Sequence, residues 1–397
     1  MQSKGNETPP SSINGDEITG MEEDGVIFLD DVEEIQLGDE EMDGWQLDAE
    51  EEPPEDLSKL VFNKHDGSVF CCDIHPDGKL AVTGGEDDKA YVWSMEDGQI
   101  FMECTGHRDS VIFVGFSFDG AFLATVDMGG VIKVWKVVEN NLKDPWPLAF
   151  EYEVDDVLFG LWHFGARVLI CGVADGDIYV FKIPSGDIKV LKGNSLRAEC
   201  AKLFKDGVRL AAGYGDGAVK VWDLKASKVQ CQVSESHEGS VTAIDTHPDN
   251  NLMASICKAN TLILSTSTNG KIVHKQVIAS KAVETVAFAQ DPELGYFGLG
   301  TLSGSVTIWD VAKQMVRHEC DGESGVTKMI WIKNHLITGC FDGSIHGYEG
   351  KSGVRSLLLT GNRSEILDYC YNEKTNTILT ATDDGTCRLF TCEFNTD

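Results

Sequence analysis

GHRDSVIFVGFSFDGAFLATVDMGGVIKVW, residues 106–135, decides the fold. It opens on Gly-His, passes through two short apolar runs separated by the turn-forming FDG, and closes on Trp135, 28 residues after His107. Apolar runs of this length bounded by Gly and Asp are strand-and-turn texture. Nothing in the stretch resembles a catalytic pair.

The unit recurs from Leu57 onward. An aromatic residue closes a strand-like stretch at Trp93 (AYVW), Trp135 (IKVW), Phe181 (IYVF), Trp222 (VKVW), Trp309 (VTIW), Tyr348 (IHGY) and Phe390 (CRLF), and LILS ending at Ser265 fills the one gap. The spacings are 42, 46, 41, 43, 44, 39 and 42 residues. That period, with four short strands per unit, is what a propeller blade requires. Other positions keep phase. Twenty-eight residues before the closing position stand His65, His107 and His237, with Asn194 and Asn362 in two degenerate units. Ten before it stand Thr83, Thr125, Ser255, Thr338 and Thr380, and six before it Asp87, Asp175, Asp216, Asp342 and Asp384.

A lone four-stranded sheet leaves two faces and two edges exposed, and radial packing around an axis covers the faces. Within a blade, the Asp, His, Thr and Trp can form a buried hydrogen-bonded chain that fixes its shape. Blade 1 holds the full set, His65, Thr83, Asp87 and Trp93. Blade 2 offers His107, Thr125 and Trp135, with Gly129 where the Asp is expected. These motifs identify the chain as a member of the WD40 β-propeller family. The expected fold is all-β, an eight-bladed ring over residues 57–397. The last blade lacks an outer strand, and SKLVFNK at 58–64 is expected to supply it. A closed ring has no spare strand edge, so a monomer is expected.

The chain of 397 residues has 65 Asp/Glu and 33 Lys/Arg, a net charge of −32. Residues 1–56 alone carry 20 acids and one Lys. They form an acidic N-terminal tail expected to be disordered, since it cannot bury enough apolar surface to fold alone. GVIFLDDVEEIQL at 25–37 and Trp45 interrupt the acid. They read either as stray hydrophobes or as a short motif that docks on the folded body or a partner. Such charge disfavours direct binding of nucleic acid and points to a basic protein. No secretory signal and no apolar run of roughly 18 residues is present, so no membrane span is expected. Twelve Cys without C-x-x-C spacing read as reduced thiols of a cytosolic or nuclear protein.

Candidate chemistry is sparse. His65, His107 and His237 could ligate metal or act as bases, but their shared spacing to the closing residue makes them structural. CCDIH at 71–75 is a weak metal pattern and reads better as a buried strand. GYGDG at 213–217 has glycines but no Lys-Ser/Thr and no following helix, so it is a hairpin turn. Neither G-x-S-x-G nor H-E-x-x-H occurs. No enzyme activity, cofactor or metal is expected. VWDLK at 221–225 resembles the end of a box by which some WD40 proteins dock on cullin-type ubiquitin ligases, and reads better as an ordinary closing strand with a surface Lys.

The acids outside the structural phase carry more. Loops entering the blades and turns after their second strands lie on one rim of this fold. Those loops carry Asp66, Asp109, Asp155, Asp156, Glu199, Glu238, Glu284, Glu323 and Glu365, and the turns carry Glu86, Asp127 and Asp383. The expectation is a negatively charged bowl for a Lys/Arg-rich segment. Phe70, Tyr214 and Phe341 near that level could hold the stems of basic side chains.

DDVEEIQL, the junction EEPPEDLSKLVFNKHDGSVFCCDIHPDGKLAVTGGEDDKAYVW, the blade at 106–135 and the closing ILTATDDGTCRLF together resemble the angio-associated migratory cell protein family of animals. That resemblance covers nearly the whole chain. It implies kinship with a fungal chaperone that captures the basic N-terminal segment of a newly made large-subunit ribosomal protein and supports late cytoplasmic 60S assembly. It also implies a role in cell migration and angiogenesis. The alternatives from other classes are a signalling or ubiquitin-ligase adaptor and a histone-binding propeller.

Overall fold

A computed structural model describes residues 54–138, 145–193, 196–278, 282–291, 293–320 and 322–394. Most of the expected tail, with its patch at 25–37 and Trp45, lies outside the described residues, as does Asn194. Among the described residues every regular element is a strand, arranged as eight antiparallel four-stranded sheets. The all-β, eight-bladed reading is correct, and every closing residue read from the sequence, Ser265 included, sits on the third strand of its blade.

Alternation drives the stacking. The innermost strand of blade 1, Val69–Ile74, and its neighbour Leu80–Gly85 bury both faces because another blade flanks each side. Outer strands such as Lys228–Gln232 are largely exposed. Eight apolar clusters result, each joining residues of two adjacent blades. Polar latches repeat across the seams of the innermost strands. Asp73 accepts from the Phe116 N–H at 2.7 Å, Asp245 from Phe288 at 2.7 Å, and Asp368 from Cys72 at 3.0 Å. Burial pushes the Asp73 carboxyl up to about 6, although two backbone donors oppose that rise.

The ring closes through its two ends. Leu60–Phe62 pairs antiparallel with Cys387–Thr391, the third strand of blade 8, in the register Leu60↔Leu389, Val61↔Arg388, Phe62↔Cys387. Phe62 is buried and stacks on Trp93 with ring centroids 4.6 Å apart and planes 4° off parallel. Just upstream, the Thr360 hydroxyl donates to the Glu55 carbonyl and Asp56 pairs with Arg388 at 3.6 Å. Truncating a buried Phe typically costs about 3–5 kcal/mol. Phe62→Ala therefore lowers the unfolding free energy by about that amount in a denaturant titration. A midpoint unchanged from wild type would show that this strand does not hold the seam.

Candidate functional site: an acidic rim on one face of the ring

In all eight blades the turn between second and third strands is tied to the loop that enters the blade. The Glu86 N–H donates to the Ser68 carbonyl, and the same bond links Met128 to Ser110, Ala174 to Asp156, and Gly215 to Arg197. It continues from Lys258 to Ser240, Leu302 to Ala282, Phe341 to Gly325 and Asp383 to Glu365, all at 2.8–3.0 Å. Sixteen connections thus share one rim, which is why acids scattered over 318 residues of sequence gather on one face.

Blades 1 and 2 support this rim with the expected buried chains. His65 Nδ1 lies 3.0 Å from Asp87, its Nε2 lies 2.9 Å from the Thr83 hydroxyl, and Trp93 Nε1 donates to that hydroxyl at 3.3 Å. The carboxylate can only accept, so Nδ1 carries the proton and Nε2 accepts from Thr83. Blade 2 repeats the pattern with His107, Thr125 and Trp135, and its carboxylate comes from Asp127 at 3.2 Å. This corrects two expectations: Asp127 is no rim acid, and blade 2 does not lack its Asp.

The two blades place the carboxylate at opposite ends of the same three-residue run. In blade 1 the run is Gly85-Glu86-Asp87, and a Cβ on Gly85 would meet His65 Nδ1 at 2.9 Å and Asp87 at 3.3 Å. In blade 2 it is Asp127-Met128-Gly129, with the acid on the strand and the glycine in the turn. Either position places a carboxylate beside the His; only in blade 1 is the glycine needed to make room, since a Cβ on Gly129 would meet Asp127 at 3.8 Å. The Asp127 side chain is fully buried. Burial raises its pKa, but hydrogen bonds from His107 and the N–H groups of Arg108 and Val131 outweigh that and hold the carboxyl below its ordinary value.

The degenerate blades substitute other groups. Trp222 donates to the Tyr214 hydroxyl at 2.9 Å in blade 4, so Tyr214 is buried and cannot serve the rim. Its ring already faces the Lys220 ammonium at 4.9 Å. Asn362 takes the His place in blade 8 and accepts from Thr380 at 2.9 Å. In blade 5, His237 meets Ser255 at 2.8 Å, Ala259 stands in the Asp position, and Nδ1 has no hydrogen-bond partner. Asp175 and Asp216 brace their own turns through the N–H groups of Asp177 and Ala218. The Cys-Asp-His run at 71–75 is dispersed: Cys71 faces the Gly84 and Val111 carbonyls, Asp73 latches blade 2, and His75 Nε2 meets the Gly120 carbonyl at 3.1 Å. Among the described residues no group of three or more His, Cys, Asp or Glu is placed to hold a metal ion.

The rim acids divide into two arcs. On blades 8, 1, 2 and 3, Asp66, Glu86, Asp109, Asp155, Asp156 and Asp383 are exposed, and Glu365 is half-buried. None of these seven makes an ion pair among the described residues, although Lys64, Lys89, Arg108 and Arg363 stand in the same loops and Arg108 is taken by Glu153 at 3.6 Å. Burial and the neighbouring Asp383 charge raise the Glu365 pKa. On blades 4 to 7 two of the four acids have ion-pair partners among the described residues. Glu199 lies 3.6 Å from Arg197 and accepts from Ser240, and Glu323 lies 3.8 Å from Arg355, while Glu238 and Glu284 stand exposed.

A feature the repeat spacing did not show lies inside the rim. Every innermost strand carries a β-bulge at its first residues, where register shifts by one. Bulges re-aim side chains. The skipped residues are Phe70, Ile112, Leu158 and Leu367 on blades 1, 2, 3 and 8, against Glu199, Thr242, Glu284 and Thr327 on blades 4 to 7. Phe70, Ile112 and Leu367 line the central cavity of about 500 Å³. The apolar bulge residues therefore belong to the same four blades as the unpaired acids. Phe341, 37% exposed on the blade 7 turn, adds an aromatic surface to the rim.

Asp127→Ala leaves the His107 Nδ1–H and two backbone N–H groups unpaired and should cost roughly 3 kcal/mol or more. Asp109→Ala, at an exposed rim position, should stay within about 0.5 kcal/mol of wild type. Equal losses in chemical denaturation would refute the reassignment of Asp127. His237 gives a pH signature. Burial, aided by the Lys275 charge, lowers its pKa from 6.5 to about 4. The unfolded chain then binds more protons between those values, so stability is intact above about 6.5 and declines as pH falls toward about 4. His237→Asn should flatten that part of the stability–pH curve.

The comparisons with known proteins follow this geometry. The model of the WD domain, G-beta repeat, matches residues 57–94, 98–136, 187–223 and 228–274. The angio-associated migratory cell protein of Homo sapiens is 34% identical over 382 residues, 89% of this chain and 85% of that protein. The ribosome assembly protein SQT1 of Saccharomyces cerevisiae is 22% identical over 91% of this chain and 92% of its own length. The crystal structure of Chaetomium thermophilum Sqt1 bound to the N-terminus of the ribosomal protein L10 shares the fold, with a TM-score of 0.77 and 20% identity over 85% of this chain and all of that one. The identity and coverage against the human protein, on the same eight-bladed ring, establish that the chain belongs to the angio-associated migratory cell protein family of WD-repeat proteins.

Proposed function

We propose that this chain is a non-enzymatic binding protein, a chaperone that holds a Lys/Arg-rich N-terminal segment of a large-subunit ribosomal protein on its acidic rim and acts in the cytoplasm in late 60S assembly. The observation that carries the reading is the arc of unpaired carboxylates on blades 8, 1, 2 and 3, backed by apolar bulge residues from the same blades. The fungal relative named for ribosome assembly and the fold shared with a protein that binds the N-terminus of L10 support it.

The chemistry suits that task. A new ribosomal protein is basic and would otherwise stick to RNA. The rim offers carboxylates on loops whose backbones are already tied to their blades, while Phe70, Ile112 and Leu367 give aliphatic stems of Arg and Lys an apolar surface. Rim charges act mainly on association rate and salt dependence, so capture is fast and the segment is surrendered to a stronger polyanion such as rRNA. Among the described residues no helix is long and apolar enough to cross a membrane.

The test is binding of a synthetic L10 N-terminal peptide to the full chain at low and moderate salt. Wild type should bind and weaken steeply with salt. Asp109→Lys with Asp156→Lys should cut affinity at least tenfold while Glu323→Lys, on the partnered arc, has a smaller effect. Because a bound cation lowers the raised Glu365 pKa, binding releases protons, and affinity should fall as pH drops toward the ordinary Glu range. Salt-insensitive binding, or indifference to both Lys substitutions, would sink the chaperone reading and favour an adaptor.

A further inference from the structure

Antiparallel strands place the first-to-second and third-to-fourth turns on the face opposite the acidic rim. There a groove of about 1040 Å³ runs across the turns of blades 2, 3 and 4. That volume is at the upper end of the roughly 300–1,000 Å³ usual for ligand sites. Val180, Ile183 and Ile188 of blade 3 contribute its apolar lining, with Phe118 from blade 2 and Val208 and Leu224 from blade 4. Phe118 is 47% exposed and Val208 43%. The groove is preformed: His163 Nε2 meets the Gly207 carbonyl at 2.8 Å, pinning the blade 3 turn to that of blade 4.

Its charge is opposite to that of the chain. Arg167, Lys182, Lys189 and Lys225 line it, against Asp119 and Asp187. Arg167 is held by Asp119 at 2.8 Å, and Lys182 lies 4.0 Å from Asp187. Among the described residues the Lys189 ammonium donates to the Leu224 and Lys225 carbonyls, at 3.3 and 2.9 Å, and makes no ion pair. Lys225 makes no ion pair among the described residues. In a chain of net charge −32, a locally positive apolar groove is the reverse of the composition.

We propose that this groove is a second docking site, and that its occupant is an acidic amphipathic peptide segment of another protein. Large apolar side chains of the segment fill the space between Phe118 and Val208, and its carboxylates reach Lys189 and Lys225. The charge complementarity selects carboxylates and the aliphatic lining selects a peptide. A nucleic acid fits less well, because besides Phe118 the lining offers for base stacking only the His163 ring, which is tied to the Gly207 carbonyl and stacked on Phe164. The site is independent of the rim, so it stands or falls separately from the chaperone reading.

The experiment is selection of random 12-residue peptides displayed on phage against the immobilised full chain, followed by affinity measurement of the synthetic peptides recovered. A class carrying at least two Asp/Glu and two large apolar residues is expected. Its affinity should drop at least tenfold in Lys189→Glu/Lys225→Glu and separately in Val208→Asp, with the thermal midpoint of each variant near wild type. A third variant, Leu224→Ala, should weaken binding if Val208→Asp does not fold. Absence of an acidic apolar class, or affinities indifferent to these variants, overturns the proposal. So does tighter binding of a twelve-nucleotide uridine RNA at the same residues, or a concentration-dependent dimer in sedimentation that the charge-reversed variant abolishes. The first of these would reassign the groove to nucleic acid and the second to a copy of this chain.

Discussion

A twisted four-stranded sheet cannot cover its own faces, and everything else in this ring follows from how that problem is solved. Each of the eight apolar clusters straddles a seam between two blades. An open stack would leave two terminal faces in water and would need capping units. Closure removes those ends, but only if the last seam is made, and the last seam is the one place where the chain must meet itself. Leu60–Phe62 completes blade 8, while Phe62 stacks on Trp93 of blade 1. The Asp368 carboxylate bonds the Cys72 N–H across the same junction. The seam therefore combines backbone pairing, aromatic packing and a charge-assisted hydrogen bond.

Closure also fixes the rim. Each entering loop is bonded to its own blade's turn, and the His–Asp–Thr–Trp chains stiffen blades 1 and 2 beneath it. A loop whose backbone is already tied loses less freedom when a partner arrives, although its exposed side chains must still be ordered. The cost is self-repulsion, visible where the Asp383 charge helps burial raise the Glu365 pKa. Charge crowding of this kind destabilises the unliganded ring slightly and is relieved by a basic ligand. The partnered acids Glu199 and Glu323 lack that tension, because Arg197 and Arg355 already stand beside them.

Sequence period revealed the blade count, the closing strand and the blade 1 chain because those features repeat at fixed offsets. It misplaced Asp127 because the carboxylate's position is defined in space, and two offsets reach it. Asp127 and Tyr214 both stand eight residues before their Trp, the last position of the second strand, and both turn inward. Paired with Gly129, Asp127 was legible only as an inversion of Gly85-Glu86-Asp87. The bulge residues were illegible for another reason. A one-residue slip at a strand start leaves hydrophobic alternation beyond it unchanged, so nothing in the pattern marks Ile112 or Leu367 as lining a cavity, and Phe70 was legible only as an aromatic near the rim.

The two faces of the ring carry opposite local charge, and the spacing between them decides whether they interfere. Blade strands of five to seven residues separate the acidic rim from the groove of blades 2 to 4. At roughly 3.3 Å per residue that is a separation of roughly 20 Å. The Debye length at physiological ionic strength is about 8 Å, so the rim's field is strongly attenuated at the groove. The charges of Asp109 and Asp156 on one face and of Lys189 and Lys225 on the other are thus electrostatically independent. A basic segment on the rim neither recruits nor repels an acidic segment in the groove by charge alone. Coupling between them would have to pass through blade packing.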